Sequence, residues 1–413
     1  MYQTVDHCRI CGCRKLDTIL DLGEQELTGV FPTSCDIKVT RGPLRLGLCH
    51  ECHLVQLMHT YDLKELYGDN YGYRSGLNVS MVNHLGLKVE VLRRRRPLRD
   101  KDIIVDIGSN DGTTLGFYPY DQYRLIGFDP TGKKFRQYYR DDIQLIEDFF
   151  SKERFYDIFG NHSRAKIITS IAMFYDLENP IAFMQQVEKI LADDGIWHFE
   201  QSYMPEMLRL TAYDTVCHEH LEYYGLKQIK WMTDRAGLQI IDVDFNDING
   251  GSFAVTVAKR DAPYEEASDV IKKVSSAEEN LGLHTLAPYE AFRQRVHWHR
   301  DILLDILFDI KRHGRLIHGY GASTKGNVIL QFCDIGPDTL SCIAEVNETK
   351  FDCITPGTHI PIVSEAASKQ KKPDYYLVLP WHFRNNLLKR EQRFIENGGQ
   401  MVFPLPKVET VGK

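Results

Sequence analysis

Residues 101–118 read "KDIIVDIGSNDGTTLGFY", and residues 123–135 continue "YRLIGFDPTGKKF". Three β-branched apolar residues, Ile103, Ile104 and Val105, form a run too short for a helix and bounded by a glycine turn, which predicts a buried strand. The turn carries Gly108 and Gly112 and opens a helix; a second strand then ends at Asp129. Strand, glycine turn, helix, strand with a terminal acid is the first half of a doubly wound α/β sheet. A ligand there sits at the carboxyl ends of the strands, and the acid can grip a ribose diol.

The glycine spacing departs from G-x-G-x-x-G because Asn110 and Asp111 occupy its middle. A dinucleotide diphosphate needs the bare backbone there, so the departure favours S-adenosylmethionine (SAM), whose zwitterionic methionine end can use acidic and amide groups at such a turn. Further along, "IEDFF" (146–150) offers Asp148 and Phe149 for the edge and face of adenine. "AKIITSIAMFYDLENP" (165–180) is a buried strand with Ser170 near its end, and "ILADDGIWHFEQSYMP" (190–205) a turn and a further strand. In this order the elements resemble a class I SAM-dependent methyltransferase. The cofactor set expected is Asp106, Gly108, Asn110, Asp111, Gly112, Asp129, Asp148, Phe149 and Ser170.

On the amino-terminal side, six of the ten cysteines fall within the first 52 residues. Cys8 and Cys11 in "CRICGC", and Cys49 and Cys52 in "CHEC", form two C-x-x-C pairs that together supply four soft tetrahedral ligands for zinc. Cys13, Cys35, His7, His50 and His53 are alternative ligands. A closed four-cysteine site leaves no open position, so its role is folding rather than catalysis. "DLGEQELTGVFP" (21–32) and "GPLRLGLC" (42–49) read as a hairpin between the pairs.

On the carboxyl side stands "VCHEHLEYYGL" (216–226), which packs two histidines, a carboxylate, a thiol and two tyrosines into eleven residues. On extended chain His218 and His220 share a face and Glu219 points the other way; on a helix they diverge. The spacing is H-E-H, not the H-E-x-x-H of a zinc protease. Histidine is the side chain best matched to moving protons near pH 7. Beside a methyl donor such a cluster points to a carbon acceptor, because carbon must first lose a proton next to a carbonyl.

After an acidic connector, "EEASDVIKKVSSAEENLGL" (265–283), and a long amphipathic stretch at 289–314, the chain begins again as α/β. "RLIHGYGASTKGNVILQF" (315–332) is strand, glycine turn and helix, and its amides with Lys325 can cradle a diphosphate at a helix amino terminus. "PDYYLVLPWHF" (373–383) is a further strand whose Trp381 is read as a packing residue.

Length and composition fit a globular chain of two or three domains: 413 residues, 43% hydrophobic and 26% charged. A net charge of −7 argues against a nucleic-acid footprint. The basic run "LRRRRPLRD" (92–100) reads as the cationic end of a helix stopped by Pro97. No apolar run approaches the roughly 18 residues of a membrane span, and "MYQTVDHCRI" lacks a signal-peptide core, so a soluble, cytoplasmic chain is expected.

The ordered set "CRICG…CHECHLVQL", "DNYGYRSG", "DIGSNDGTTL", "GFDP", "CHEHLEYY", "NGGSFAV", "GYGASTKGN" and "PDYYLVLPWH" is similar to the nucleotide-sugar C-methyltransferases, in particular the sugar C3-methyltransferases of deoxysugar biosynthesis. The resemblance implies a zinc-binding domain (1–75), a SAM-binding Rossmann-like domain (76–260), a helical connector (261–290) and a carboxyl-terminal Rossmann-like domain that helps hold the nucleotide sugar (291–413). It implies proton abstraction at C3 of an NDP-4-keto-6-deoxyhexose through an enolate. His220 matches the base, Glu219 would orient it and His218 assist. The position before the motif, usually tyrosine, is Cys217, so Tyr71, Tyr73 or Tyr223 are candidates to hold the enolate. The family's "HGGS" is Asn249-Gly250-Gly251-Ser252; Asn249, Gly250 and Ser252 with Gly321, Ser323 and Lys325 form the expected substrate set. The resemblance also implies SAM, structural zinc, a small-molecule partner without nucleic acid or membrane, and a monomer or weak homodimer. O- or N-methylation of a nucleotide sugar, and a zinc-ribbon RNA methyltransferase, are the rival readings.

Overall fold

The computed structural model describes residues 1–68 and 71–412; Asp69 and Asn70 of the DNYGYRSG motif lie outside the described residues, as does Lys413. The amino-terminal region holds β1 (Tyr2–Thr4), β2 (Leu16–Glu26), β3 (Arg41–Cys49), β4 (Val55–Leu57) and β5 (His59–Tyr61). Strands β2 and β3 form the expected antiparallel hairpin, and β1 pairs with β5. The main sheet of this region is not self-contained: its order is β11–β4–β3–β2, where β11 (Glu222–Tyr223) comes from the chain directly after the H-E-H motif.

The central sheet contains β6 (Ile103–Ile107), β7 (Arg124–Phe128), β8 (Ile143–Ile146), β9 (Ala165–Ile171), β10 (Leu191–Ser202), β12 (Leu238–Asn246) and β13 (Ser252–Lys259). Its order is β12–β13–β10–β9–β6–β7–β8, with β13 antiparallel to both neighbours and the ladders from β10 to β8 parallel. All five residues of β6 are buried, as a strand covered on both faces requires. This is the doubly wound class I order, with the strand-order reversal between β6 and β9.

The third sheet is built from β14 (Ile317–Tyr320), β15 (Ile343–Glu345), β16 (Ile362–Ser364), β17 (Tyr375–Val378), β18 (Gln400–Phe403) and β19 (Glu409–Val411). The order β16–β15–β14–β17–β18–β19 is parallel except for β19, a second Rossmann-like sheet. Helices Ser268–Asn280 and Ala287–Arg312 span the connector. The arginine run does end a helix, Val79–Arg95, whose cations are tied down: Arg95 pairs with Asp242 at 2.8 Å and Arg96 donates to the Asp194 carbonyl at 2.7 Å. Among the described residues no helix is long and apolar enough to cross a membrane.

The amino-terminal region and the carboxyl-terminal domain meet at residues 26–32. Gln331, on helix Thr324–Phe332, accepts from the Glu26 amide (2.8 Å) and donates to its carbonyl (3.1 Å). Asn327 on the same helix donates to the Thr28 carbonyl at 2.8 Å. The Ile354 amide donates to the Pro32 carbonyl at 2.8 Å. The turn at Thr28 and Gly29 is thereby fixed from the carboxyl-terminal side and faces the H-E-H segment on the other.

Candidate active site

A cavity of about 300 Å³ opens at the carboxyl ends of β6, β7 and β9, lined among others by Asp106, Gly108, Asn110, Asp129, Phe149 and Met173. Gly108 has φ of +74° and a Cβ there would lie 2.9 Å from the Met173 side chain, so the turn admits only glycine. Asp129 sits on the floor: its Oδ1 accepts from the Thr131 amide and hydroxyl, and its Oδ2 accepts from the Asn110 amide at 2.7 Å and keeps a lone pair for a ribose hydroxyl. Burial raises its carboxyl above the usual range. Burial also pushes Asp106 up to about 7, against a 2.6 Å hydrogen bond from the Thr169 hydroxyl. An acid for a ribose, a bare glycine turn and the half-exposed ring of Phe149 fit the expected adenosyl cofactor.

Several expected cofactor residues act otherwise. The Asn110 side chain accepts from the Ser75 amide (2.9 Å) and Asp111 accepts from the Gly76 amide (2.9 Å). The residues that break the dinucleotide glycine pattern therefore hold down the segment covering the cavity, which contributes Tyr67, Tyr71 and Tyr73 to its wall. Gly112 lies under the Tyr139 ring. Asp148 is outside the cavity lining, paired with Arg154 at 3.3 Å. Ser170 is fully buried and accepts the Trp197 indole N–H at 3.1 Å.

The H-E-H segment is neither strand nor helix. The His220 amide donates to the Cys217 carbonyl at 3.2 Å, making a tight turn that sends its three side chains apart. The shared face that an extended chain would give the two histidines is therefore not formed. His218 points into the amino-terminal region, fully buried; its Nδ1 accepts from the Thr28 amide at 3.3 Å and its ring meets Tyr61 edge-on at 4.6 Å. Burial lowers it to about 3, so it sits neutral against the amino-terminal region.

His220 faces the opposite way and stays half-buried. Its Nδ1 lies 2.8 Å from the Thr215 carbonyl, an acceptor only, so Nδ1 carries the proton and Nε2 presents its lone pair. Its ring packs on Tyr175 with centroids 4.2 Å apart. Burial, with a smaller contribution from the Lys325 cation, lowers its pKa to about 3 and keeps it neutral. Glu219 lies between them, buried and pushed up to about 7 by loss of water; its Oε2 has no partner. A Cβ on Gly29 would fall 2.1 Å from Glu219 Oε1, so the glycine makes room for the carboxylate.

Tyr175 and Asp176 join this turn to the cavity. Asp176 lines the cavity, receives the Tyr67 hydroxyl at 2.9 Å and leaves Oδ1 unpartnered. Burial raises its carboxyl well above the usual range, and the Glu219 charge adds to this. Sequence reasoning placed their loop at the carboxyl edge of the sheet but did not single out Tyr175, Asp176 or Tyr67; position after β9 was the available signal. Of the tyrosines expected to hold an enolate, Tyr223 is buried in β11 with its hydroxyl on the Thr215 carbonyl (3.3 Å), and Tyr73 is 46% exposed. Tyr71 lines the cavity.

At the carboxyl-terminal glycine turn, three of the amides expected to cradle a diphosphate are engaged within the fold. The Gly321 amide donates to the Ala344 carbonyl (2.8 Å), the Ala322 amide to the Glu345 carboxylate (2.7 Å), and the Gly326 amide to the capping hydroxyl of Ser323 (3.0 Å). Lys325 reaches across to the Asn249 carbonyl at 2.9 Å. Gly250 packs against Trp381, whose indole donates to Asp214 at 2.7 Å, and Ser252 donates to the Ile248 carbonyl at 2.9 Å.

The Cys8, Cys11, Cys49 and Cys52 sulfurs all lie within 4.8 Å of one another, with 3.4 Å between Cys8 and Cys52 and 3.5 Å between Cys11 and Cys49. Four thiolates about 3.8 Å apart are what a zinc ion with Zn–S near 2.3 Å requires. The alternatives stand apart: His50 bonds Asp17, Cys35 is exposed and Cys13 bonds Lys15. From this knot the chain runs directly into β4, which pairs with β11, and the Leu57 amide donates to the Leu221 carbonyl at 2.8 Å. Gln228 donates to the Cys52 carbonyl at 2.9 Å. The metal thus fixes the strand that follows His220.

Comparison with known proteins yields three family matches in chain order: residues 8–67 match "Putative zinc binding domain", residues 85–243 "Methyltransferase domain" and residues 247–406 "C-methyltransferase C-terminal domain". The chain is 28% identical over 409 residues to C-methyltransferase NovU of Streptomyces niveus, covering 98% of this chain and 97% of that one. Among solved structures, the plantazolicin methyltransferase BpumL bound to S-adenosylhomocysteine is 12% identical, with 43% of this chain and 84% of that chain covered and a TM-score of 0.33. The YcgJ protein of Bacillus subtilis is 14% identical, with 43% of this chain and 98% of that chain covered and a TM-score of 0.32.

Proposed function

Since this chain belongs to the SAM-dependent C-methyltransferases that join a zinc-binding, a methyltransferase and a C-methyltransferase carboxyl-terminal domain, we propose that it methylates C3 of an NDP-4-keto-6-deoxyhexose, with His220 as the base. SAM is its methyl donor and zinc its structural metal. In this reading residues 1–75 carry the metal, 76–260 the donor, 261–290 the connector and 291–413 part of the nucleotide-sugar site. The enzyme is taken to work in the cytoplasm on a small molecule.

The observation that carries the reading is the locked tautomer of His220. With Nδ1–H held by Thr215, Nε2 is a neutral acceptor, and the ring packs on Tyr175, whose chain neighbour Asp176 lines the cavity with Tyr71. A hydrogen on carbon next to a carbonyl needs such a base, whereas an oxygen or nitrogen acceptor already offers a lone pair. Bound SAM supplies an electrophilic methyl group to the carbon that His220 has deprotonated. Glu219, uncharged below about pH 7, lets the turn sit in the interior without a second fixed charge. Asp129, Gly108 and Phe149 are assigned to the donor.

A panel of dTDP-, GDP- and CDP-linked 4-keto-6-deoxyhexoses with SAM tests the reading by mass spectrometry and NMR. One added methyl on ring C3 is the expected result, and deuterium should enter C3 in D₂O without SAM. A methyl on oxygen or nitrogen would overturn it.

A further inference from the structure

We propose that Lys325 is the cation that stabilises the C4 oxyanion while His220 removes the C3 proton. This rests on the keto-sugar reading and deepens it, because that chemistry needs a donor and the sequence offers Cys217 where the family has tyrosine.

Lys325 stands in the first turn of helix Thr324–Phe332 and is half-buried, yet it bonds nothing of its own domain. Its one hydrogen bond among the described residues crosses to the Asn249 carbonyl, leaving two of three ammonium N–H groups uncommitted. No carboxylate of the described residues lies within 4.0 Å of Nζ. The nearest acid that acts on it is Asp214, whose Oδ2 is already engaged by the Trp381 indole. An interior cation without a paired anion is costly, so a site that keeps one has an anion to receive.

Two anions are available in this chemistry. The diphosphate is disfavoured because three amides of the adjoining turn are spent, one of them on the Glu345 carboxylate, whose charge opposes a phosphate. The oxyanion is favoured by position: the Lys325 helix begins beside the H-E-H turn, since one Cβ on Gly29 would lie 2.1 Å from Glu219 Oε1 and 3.5 Å from Thr324 Oγ1. Asp214, which engages Trp381, directly precedes the Thr215 whose carbonyl holds His220, and the Lys325 charge bears on His220 and Cys217. Two other donors are set aside by geometry: the Tyr223 hydroxyl is committed to Thr215, and Cys217 is a buried, weak thiol donor.

The step balances without a co-reactant. The C3–H bond breaks and its proton goes to His220 Nε2. The C3–H electron pair becomes the C3–C4 π bond, and the carbonyl π pair moves onto the C4 oxygen, where the Lys325 ammonium meets it. Reversal in D₂O places deuterium on C3.

The test compares wild type with Lys325→Met, Lys325→Gln and Lys325→Arg, following deuterium entry at C3 of the accepted sugar without SAM, together with kcat and KM for methylation. The expected result is a fall of about 10²–10³ in C3 exchange and kcat for the Met and Gln variants with KM little changed. Partial activity should return in Lys325→Arg, and Lys325→Gln keeps the test open should Lys325→Met fail to fold. Exchange within threefold of wild type in a folded variant would overturn the role. A rise in KM with kcat unchanged would also overturn it and assign the lysine to diphosphate binding. If wild type itself neither exchanges C3 nor methylates carbon, the keto-sugar reading falls first and this role with it.

Discussion

Nδ1 of His220 lies 2.8 Å from the carbonyl oxygen of Thr215, five residues earlier in the same chain. That one hydrogen bond decides which nitrogen is free. His220→Gln should leave SAM binding intact, read by calorimetry, and lower methyl transfer by about 10²–10⁴, the usual contribution of a positioned base.

Glu219 should set an inflection near neutral pH. Its folded value is about 7 against 4.5 for an ordinary glutamate, so the native state favours the protonated form. The stability this contributes is full below about pH 4.5 and is lost as pH rises through 7. Glu219→Gln cannot ionise, so it should gain on the order of 1–3 kcal/mol over wild type at pH 8.5 and little at pH 5, measured by urea denaturation.

Gly29→Ala should disable the enzyme without unfolding the zinc region. The new Cβ would fall 2.1 Å from Glu219 Oε1, displacing the carboxylate and the turn that carries His220. A shift near 1 Å in a catalytic group costs about 10²-fold in kcat. Unchanged kcat would show that Glu219 swings aside freely.

Removing zinc should abolish activity through β11. Cys52→Ser, or a strong chelator, should cost on the order of several kcal/mol in the amino-terminal region. Amide exchange should then speed up not only at β4, whose Leu57 amide donates to the Leu221 carbonyl, but at Tyr223 of β11, which pairs with Val55. Fast exchange confined to residues before 60 would break the proposed link from metal to active turn.

Glu200 is a buried carboxylate joined to His84 at 2.6 Å, Lys88 at 2.8 Å and Asn246 at 2.8 Å. Glu200→Ala leaves Lys88 and His84 without their shared partner and should cost about 3–5 kcal/mol. Despite the cost of its burial, these partners hold Glu200 near 2, so its contribution is full above 4.5 and is lost as pH falls toward 2; acid unfolding should begin at higher pH in the variant.

The sequence by itself determined the architecture of the donor side and the metal knot. An apolar run, a glycine with no room for a side chain and an acid at a strand end are local requirements, so Ile103–Ile107, Gly108 and Asp129 could be read one after another. Two C-x-x-C pairs are equally local, because each pair spans one turn. It also marked His220 and Glu219 as proton-handling residues.

Only the tertiary structure decided which way those residues point and what surrounds them. Whether His218 and His220 share a face depends on backbone torsions at Cys217–His220, and these are set by β11 being captured in the zinc sheet some 165 residues away in sequence. Asn110 and Asp111 chose the covering segment over the ligand because the Ser75 and Gly76 amides needed acceptors there. Lys325 reaches the Asn249 carbonyl, while amides of its own turn are satisfied within the carboxyl-terminal domain. Long-range pairing of backbone polar groups, which no short window of sequence records, assigned these side chains their roles.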